Sequence, residues 1–241
     1  MTALRLDRLL SNLGYGSRRE IEQMAKAGRI ILDGKPVPDG AAKITLARDL
    51  PDRMTIGGRP NDPPPGLILM VHKPLGVTCS HKEAGGLVYD LLPQRWLRRD
   101  PAISTVGRLD KETSGLLLMT DDGALLHRII SPKAHVAKRY RVTTARPIDT
   151  HDDAIFASGT LLLEGEHKPL LPAELEVLSA NEALLTIHEG RYHQVRRMFA
   201  AVGNHVEALH RDRVGGLSLP DDLAAGEWRL MSDADVAAVF A

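Results

Sequence analysis

The 241-residue sequence has no net charge, a single cysteine and no long apolar run. Its 31 Lys and Arg residues balance its 31 Asp and Glu residues, so a binder that is basic over its whole surface is not indicated. Cys79 has no cysteine partner, which excludes an intramolecular disulfide and a cysteine-based zinc cluster. No apolar run approaches the roughly 18 residues of a membrane helix, and the N-terminus has no apolar signal-peptide core. We therefore expect a cytoplasmic protein with no membrane partner.

The ten histidines show no metal-ligand spacing. His188-Glu189 and His193 superficially resemble a zinc-protease motif, but these histidines are five residues apart and would not share a helix face. The phosphate-binding glycine loop of nucleotide enzymes is also missing. We expect neither a metal nor a cofactor.

Residues 1–58 are predicted to form a small separate module. Leucines between positions 4 and 13 give a helical stripe, and the capping-box spacing of Ser17 and Glu20 predicts a second helix that Gly28 ends. Asp33-Gly34 then predicts a tight type I′ hairpin between two short strands.

This module is basic, because residues 1–60 contain 11 Lys and Arg against 7 Asp and Glu, a net charge of +4. Six basic residues fall within 25 positions: Arg5, Arg8, Arg18, Arg19, Lys26 and Arg29. They could form a solvated helical face or a patch that contacts phosphates, and composition alone favours neither.

Residues 59–66, with three consecutive prolines, predict a stiff extended linker that separates the module from a second domain at 67–241. Short strands mixed with helices indicate an α+β second domain.

The second domain is organised around residues 105–119, a polar turn that runs into four consecutive apolar residues, Leu116–Met119. Such a run predicts a strand buried on both faces. Arg108 and Asp110 lie in the turn just before it. These are ordinary turn residues, but a charged turn anchored to a rigid strand is also suited to hold a reactive group.

Two later stretches carry further candidate residues. Residues 138–142 alternate like a strand, so Lys138 and Tyr140 share one face. Residues 184–199 read as a strand, a glycine turn and a helix with an apolar face, which places Arg196 and Arg197 near the first turn of that helix. Without further information these are a half-buried tyrosine and a solvated arginine pair.

The run Gly-Arg-Leu-Asp-Lys-Glu-Thr-Ser-Gly-Leu-Leu-Leu, from Gly107, resembles the signature loop of the RNA pseudouridine synthases that modify ribosomal RNA. The resemblance implies that Asp110 is catalytic. Lys-x-Tyr resembles the second motif and places Tyr140 beneath the target base. Gly-Arg-Tyr-His-Gln-Val-Arg-Arg-Met resembles the third, in which one arginine, Arg196 or Arg197, pairs with the aspartate.

Two more elements extend the resemblance over essentially the whole chain. His72-Lys73-Pro74 is similar to the Asn-Lys-Pro-x-Gly element of the synthases, and the order of motifs in residues 4–34 resembles the S4 RNA-binding domain. The implied fold is α+β, a small helical S4-like domain joined to a catalytic domain with a mixed, largely antiparallel sheet flanked by helices. The residues expected to bind RNA are Arg5, Arg8, Arg18, Arg19, Lys26, Arg29, Lys73, Arg108, Lys138 and Arg191.

Within the family, the third motif and the residues after it are most similar to the small-subunit (16S) branch, whose target is uridine 516. The implied partner is ribosomal RNA or a small-subunit assembly intermediate, and we expect a monomer. The implied reaction is an isomerisation on a flipped-out base. Asp110 would either attack the sugar or remove its C2′ proton, and the sequence does not choose between these.

Three alternatives stay open on the sequence. The chain could be a large-subunit synthase of the same family or a non-catalytic, ribosome-associated RNA-binding protein. It could also be a glycoside hydrolase that uses Asp110 and Glu112 as paired carboxylates.

Overall fold

The structure is a computed structural model that describes residues 3–80, 83 and 85–241. Met1 and Thr2, the first residues of the predicted module, lie outside the described residues. The chain divides into two compact units. The first contains Met1–Ile68, Leu92–Ser104 and Thr120–Gly123, and the second contains Leu69–Leu91, Thr105–Met119 and Ala124–Ala241. The predicted domain bounds, 1–58 and 67–241, stay a prediction.

Between residues 3 and 60, the first unit contains three α-helices and six short strands. In chain order these are β1 (Ala3–Arg5), α1 (Leu6–Asn12), α2 (Arg18–Lys26), β2 (Ile30–Leu32), β3 (Lys35–Pro36), β4 (Lys43–Thr45), α3 (Leu50–Arg53), β5 (Met54–Ile56) and β6 (Arg59–Pro60). Strand β1 pairs with β4, and β3-β2-β5-β6 form an antiparallel sheet.

The local signals at the start of this unit are confirmed. Ser17 and Glu20 form the capping box of α2, and Gly28 has φ +68° just beyond its end. Asp33 and Gly34 have φ values of 51° and 75°, as a type I′ turn requires. Its core consists of buried apolar residues, chiefly Leu6, Leu9, Leu10, Leu13, Ile21, Ala25 and Ile30.

Residues 59–66 were expected to form an extended linker, and the first residues of this segment have a different structure. Arg59–Pro60 form an edge strand on β5, a place where proline is tolerated, and Asn61 and Asp62 are buried. The Arg95 guanidinium donates two hydrogen bonds, both of 2.7 Å, to the Asp62 carboxylate. The first part of this segment is therefore packed into the first unit.

The second unit is built on a large sheet with helices. The elements that follow β6 are β7 (Ile68–Lys73), β8 (Ser104–Thr105), β9 (Thr113–Thr120), α4 (Gly123–Ile130), β10 (Lys138–Thr144), α5 (Asp152–Ala157), β11 (Glu174–Ser179), β12 (Glu182–Ile187), α6 (Gln194–Ala201), β13 (Val206–Val214), β14 (Leu217–Ser218), β15 (Trp228–Leu230) and α7 (Asp233–Ala238).

The strand order is β11-β12-β10-β13-β9-β7-β15, with β14 beside β13 and β8 beside β9. Strand β13 is parallel to β9, whereas β10 is antiparallel to both β12 and β13. Strands β11 and β12, and likewise β15 and β7, are also antiparallel. The expected α+β fold with a mixed, largely antiparallel sheet is confirmed.

Gly115 allows β9 and β13 to lie side by side. Its φ is +111°, a conformation that L side chains rarely adopt. It lies opposite Arg211, and a Cβ atom on Gly115 would be 2.2 Å from the backbone oxygen of Arg211. Only glycine fits this contact without a shift of one strand.

We expect Gly115→Ala to lower the free energy of unfolding by about 2–4 kcal/mol, because it adds backbone strain and overpacking at a fixed strand pair. Gly123→Ala is the matched control, since no atom lies within 4 Å of a Cβ there. Chemical denaturation of both variants measures the difference. Equal stability of the two would contradict the packing constraint.

Candidate active site

A cleft of about 330 Å³ opens on the second unit, a size typical of ligand sites. Five segments line it: the turn before β9, the end of α4 with the residues directly after it, the start of β10, the loop between β12 and α6, and β13. The polar lining includes Arg108, Asp110, Thr113, Lys138, Tyr140, Arg191, His193, Gln194 and Arg211. The sheet thus brings Asp110, Lys138 and Tyr140 together, although up to 30 residues separate them in the chain.

Asp110 lies in this cleft with 30% of its side chain exposed, and its Oδ1 is 3.3 Å from Nε2 of His193. The expected pair with Arg196 or Arg197 is not what the structure has. Arg196 donates to the carbonyl oxygens of Val206 and Glu112. Arg197 donates to the Glu166 carboxylate and to the carbonyl oxygens of Tyr192 and Glu164. The neighbour of the carboxylate is therefore an imidazole.

Two cations hold the backbone of the Asp110 loop, one from a segment before the loop in the chain and one from a segment after it. Lys73, at the end of β7, donates from Nζ to the carbonyl oxygen of Thr113 at 2.7 Å, and Arg196 donates to that of Glu112 at 3.0 Å. The Thr113 amide closes the turn on the Asp110 carbonyl oxygen at 3.0 Å. These bonds fix the backbone beside the carboxylate.

Lys73 was expected to contact RNA, and the structure contradicts this. The side chain is completely buried, and its ammonium group is satisfied by backbone carbonyl oxygens. Burial lowers the pKa of Lys73. A buried ammonium group cannot reach a phosphate, so this lysine supports the loop instead.

Tyr140 and Lys138 both line the cleft, as the alternation of their strand predicted. Tyr140 is almost fully buried, and its hydroxyl accepts a hydrogen bond of 3.4 Å from Nη1 of Arg211. Burial, together with the charge of Arg211, lowers the pKa of Lys138 to about 8.

Arg211 and His193 are cleft residues that the sequence reasoning missed. Arg211 is 4% exposed, and its Nε donates to the carbonyl oxygen of Leu116 at 2.8 Å. Alternation along β13 would have indicated it, because Leu209 and Arg211 share a face and both line the cleft. His193 stands within the third motif, but the sequence indicates no contact between it and Asp110.

Arg191 and Arg197 hold a neighbouring segment in place. Both donate to the Glu166 carboxylate, at 3.2 and 3.0 Å, and both also bind carbonyl oxygens of residues 164–169. The guanidinium of Arg197 lowers the pKa of Glu166. Arg108 differs from both, because it is exposed at the cleft and its side chain has no hydrogen-bond or ion-pair partner among the described residues.

The basic residues of the first unit also fall into two groups. Arg5 and Arg18 both bind the buried carboxylate of Asp7 at 2.9 and 2.8 Å, and the Arg5 hydrogen bond is the main cause that lowers the pKa of Asp7 to about 2. Lys26 is 3.1 Å from Glu22. The exposed side chains of Arg8, Arg19 and Arg29 have no such partner within the described part of the chain.

Within residues 3–80, 83 and 85–241, no three His, Cys, Asp or Glu side chains are grouped to hold a metal ion. None of the helices in these ranges has the length and apolar character to span a membrane.

Comparison with known proteins gives two family matches. The model of the RNA pseudouridylate synthase family matches residues 67–201, more than half of the chain, and the model of the S4 domain matches residues 4–46.

Curated relatives match over almost the whole length. The chain is 41% identical to the ribosomal small subunit pseudouridine synthase A of Vibrio cholerae, with 98% of this chain and 100% of that protein covered. It is 40% identical to an uncharacterized RNA pseudouridine synthase of Bacillus subtilis, with 97% of each chain covered. A crystal structure of a pseudouridylate synthase superposes with a TM-score of 0.68 at 35% identity, covering 98% of this chain and 99% of that one.

Similarity of this extent, in both sequence and fold, exceeds what a shared fold alone would give. The chain belongs to the RNA pseudouridine synthase family, a family of isomerases, and carries an S4 RNA-binding domain at its N-terminal end.

Proposed function

We propose that this protein converts uridine 516 of small-subunit (16S) ribosomal RNA to pseudouridine, with Asp110 as the catalytic carboxylate. The observation that carries the proposal is the cleft, in which the Asp110 carboxylate lies with Tyr140 and several cations. The other carboxylate of the lining, Glu189, is bound to Arg191 at 2.9 Å. The choice of the small subunit is supported by full-length relatives that are named for that substrate. A monomeric state and a cytoplasmic location stay predictions.

The reaction detaches uracil from C1′ of the ribose, turns it and rejoins it through C5, so reactant and product are isomers. A carboxylate can serve this reaction in two ways, by attack on the sugar or by removal of the C2′ proton. In either case the uridine must leave the base stack to reach Asp110. The backbone bonds from Lys73 and Arg196 keep the loop, and so the carboxylate, in place while this happens.

Tyr140 is proposed to stack on the flipped-out uracil and so replace part of the stacking that the base loses. The bond from Arg211 fixes the tyrosine hydroxyl and thereby the ring. Arg196 is proposed to act as a positioning residue, because it holds the loop through Glu112 rather than the carboxylate itself. Arg197 and Arg191, which bind Glu166, support the loop between β12 and α6.

We assign phosphate contacts to four exposed arginines whose side chains have no hydrogen-bond or ion-pair partner among the described residues. These are Arg108 at the cleft and Arg8, Arg19 and Arg29 in the S4 domain. Lys138 differs from these, because its ammonium group donates to the carbonyl oxygen of Val136 at 2.8 Å, but it lines the cleft and can also meet a phosphate there. The bonds of Arg5 and Arg18 to Asp7 oppose a phosphate contact, because binding RNA would compete with those charge-assisted bonds.

We expect Asp110→Asn to reduce pseudouridine formation by about a thousandfold or more, because the amide can neither attack nor take a proton. Glu112→Gln should stay within about threefold of the wild type, since its exposed side chain does not line the cleft. Pseudouridine mapping on 16S rRNA, before and after assembly into small subunits, measures both variants and locates the target.

A comparable loss in both variants would instead favour paired carboxylates. Modification only in large-subunit rRNA would move the protein to the other branch, and no modification of either RNA by the wild type would indicate a binding protein.

We expect Arg19→Gln to weaken RNA binding and to lower the slope of log affinity against log salt by about one, because one phosphate contact is lost. Arg53→Gln is the matched control in the same unit, since Arg53 already binds Asp33 at 2.7 Å. Titrations of the full chain with RNA between low and moderate salt give both slopes. If the Arg19 variant has the same slope as the control, Arg19 does not contact an RNA phosphate.

We expect the binding contribution of Lys138 to fall as pH rises through about 8, the pKa of its ammonium group in the cleft. Below that pH the charged amine attracts a phosphate, and above it the neutral amine does not. Lys138→Arg should keep the attraction at all these pH values, because a guanidinium remains protonated. KM measured for both proteins from pH 7 to 9 should therefore rise for the wild type and stay level for the variant. Parallel KM profiles for the two proteins would exclude a contact between Lys138 and a phosphate.

A further inference from the structure

Tyr192, in the loop between β12 and α6, has 71% of its surface exposed, the highest value among the exposed large apolar side chains of the described residues. Its neighbours in the loop, Arg191 and His193, line the cleft, whereas Tyr192 does not. Packing in the core therefore does not account for an aromatic ring at this position.

The ring of Tyr192 is nonetheless ordered by a stacking contact. It lies parallel to the imidazole of His193, with 3.9 Å between ring centroids and 15° between planes. That imidazole is 3.3 Å from the Asp110 carboxylate. The tyrosine ring is thus stacked on the imidazole that lies beside the carboxylate proposed to be catalytic.

The backbone beneath this pair is fixed as well. The carbonyl oxygen of Tyr192 accepts a bond of 3.2 Å from Arg197, and that of His193 accepts one of 3.0 Å from the Arg197 amide. His193 has φ 48°, a left-handed conformation that is uncommon for residues other than glycine. Such conformations persist where the surroundings enforce them, and they concentrate at binding sites.

We propose that Tyr192 is a stacking platform for a second nucleobase of the RNA, the one adjacent to the uridine in the cleft. This inference rests on the proposed function and deepens it. One face of the tyrosine is covered by His193, and the high exposure of the ring leaves surface for a base. Base stacking on an aromatic ring needs no particular base, so this contact positions the strand rather than reading its sequence.

The platform separates two tasks at the cleft. Tyr140 is buried within it and is suited to the flipped-out base, whereas Tyr192 is outside and is suited to a base that remains in the strand. A neighbour held there limits how far the target ribose can move from Asp110. Loss of the platform should therefore raise KM much more than it lowers kcat.

The test uses the full-length protein and a 16S rRNA hairpin with uridine 516. Tyr192→Ala and Tyr192→Leu should each raise KM by roughly 5- to 150-fold, the range that one base–aromatic stack contributes. Tyr192→Phe should keep KM within about twofold, and kcat should change by less than about threefold in all three. Leu162→Ala, at another exposed apolar residue, is the control.

A second arm identifies the base. RNAs with an abasic nucleotide on either side of the target are compared with intact RNA. For the wild type, one of the two abasic RNAs should reproduce the rise in KM, and for Tyr192→Ala that same RNA should add nothing further. Independent, additive losses would overturn the proposal, as would a KM for Tyr192→Ala equal to that of the control.

A binding measurement keeps this inference separate from the proposed chemistry. With 2-aminopurine at the flanking position and the Asp110→Asn variant as host, binding should quench the fluorophore only when Tyr192 is present. Quenching that survives Tyr192→Ala would overturn the platform even in an active enzyme. Quenching lost with Tyr192 would support it even if the wild type modified no uridine, an outcome that would overturn only the proposed function.

Discussion

The cleft depends on the parallel contact between β9 and β13, which closes only because Gly115 brings no side chain between them. Strand β9 follows the Asp110 turn directly, and β13 contributes Arg211 opposite Gly115. The same Arg211 lies opposite Tyr140 in the antiparallel pair of β13 and β10. Strand β13 therefore fixes the positions of the carboxylate loop, the tyrosine and the buried guanidinium relative to one another. A shift of β13 would displace all three together.

Three cations, of which Lys73 and Arg211 are buried, hold backbone segments of this unit. Lys73, Arg196 and Arg211 each donate to a backbone carbonyl oxygen near the cleft. Burying a charge is costly unless hydrogen bonds compensate, and carbonyl oxygens supply that compensation without neutralising the charge. Of these three, Arg211 also lines the cleft, together with Arg108, Lys138 and Arg191. This arrangement suits an anionic substrate, and it leaves exposed cations such as Arg108 for direct contact.

In the S4 domain, too, some cations are bound to protein groups and others are left exposed. Asp7, a buried residue of α1, binds Arg5 and Arg18 and so pairs two of the six clustered basic residues with a carboxylate. Arg8, Arg19 and Arg29 keep their charges unpaired among the described residues. A chain with no net charge can thus belong to an RNA-modifying family, because counterion release depends on local unpaired cations and not on the total.

The sequence by itself determined the elements whose signals are local. The capping box at Ser17, the hairpin at Asp33-Gly34 and the buried strand after Asp110 all depend on residues within a few positions of each other, and each is present. The motifs likewise indicated the family, and alternation placed Lys138 with Tyr140.

Only the tertiary structure decided which partner each charge has. Lys73 is buried, Arg196 and Arg197 bind backbone and Glu166, and His193 is the group beside Asp110. These pairings join residues far apart in the chain, and their geometry follows from sheet register and helix placement, which a spacing in the sequence does not contain.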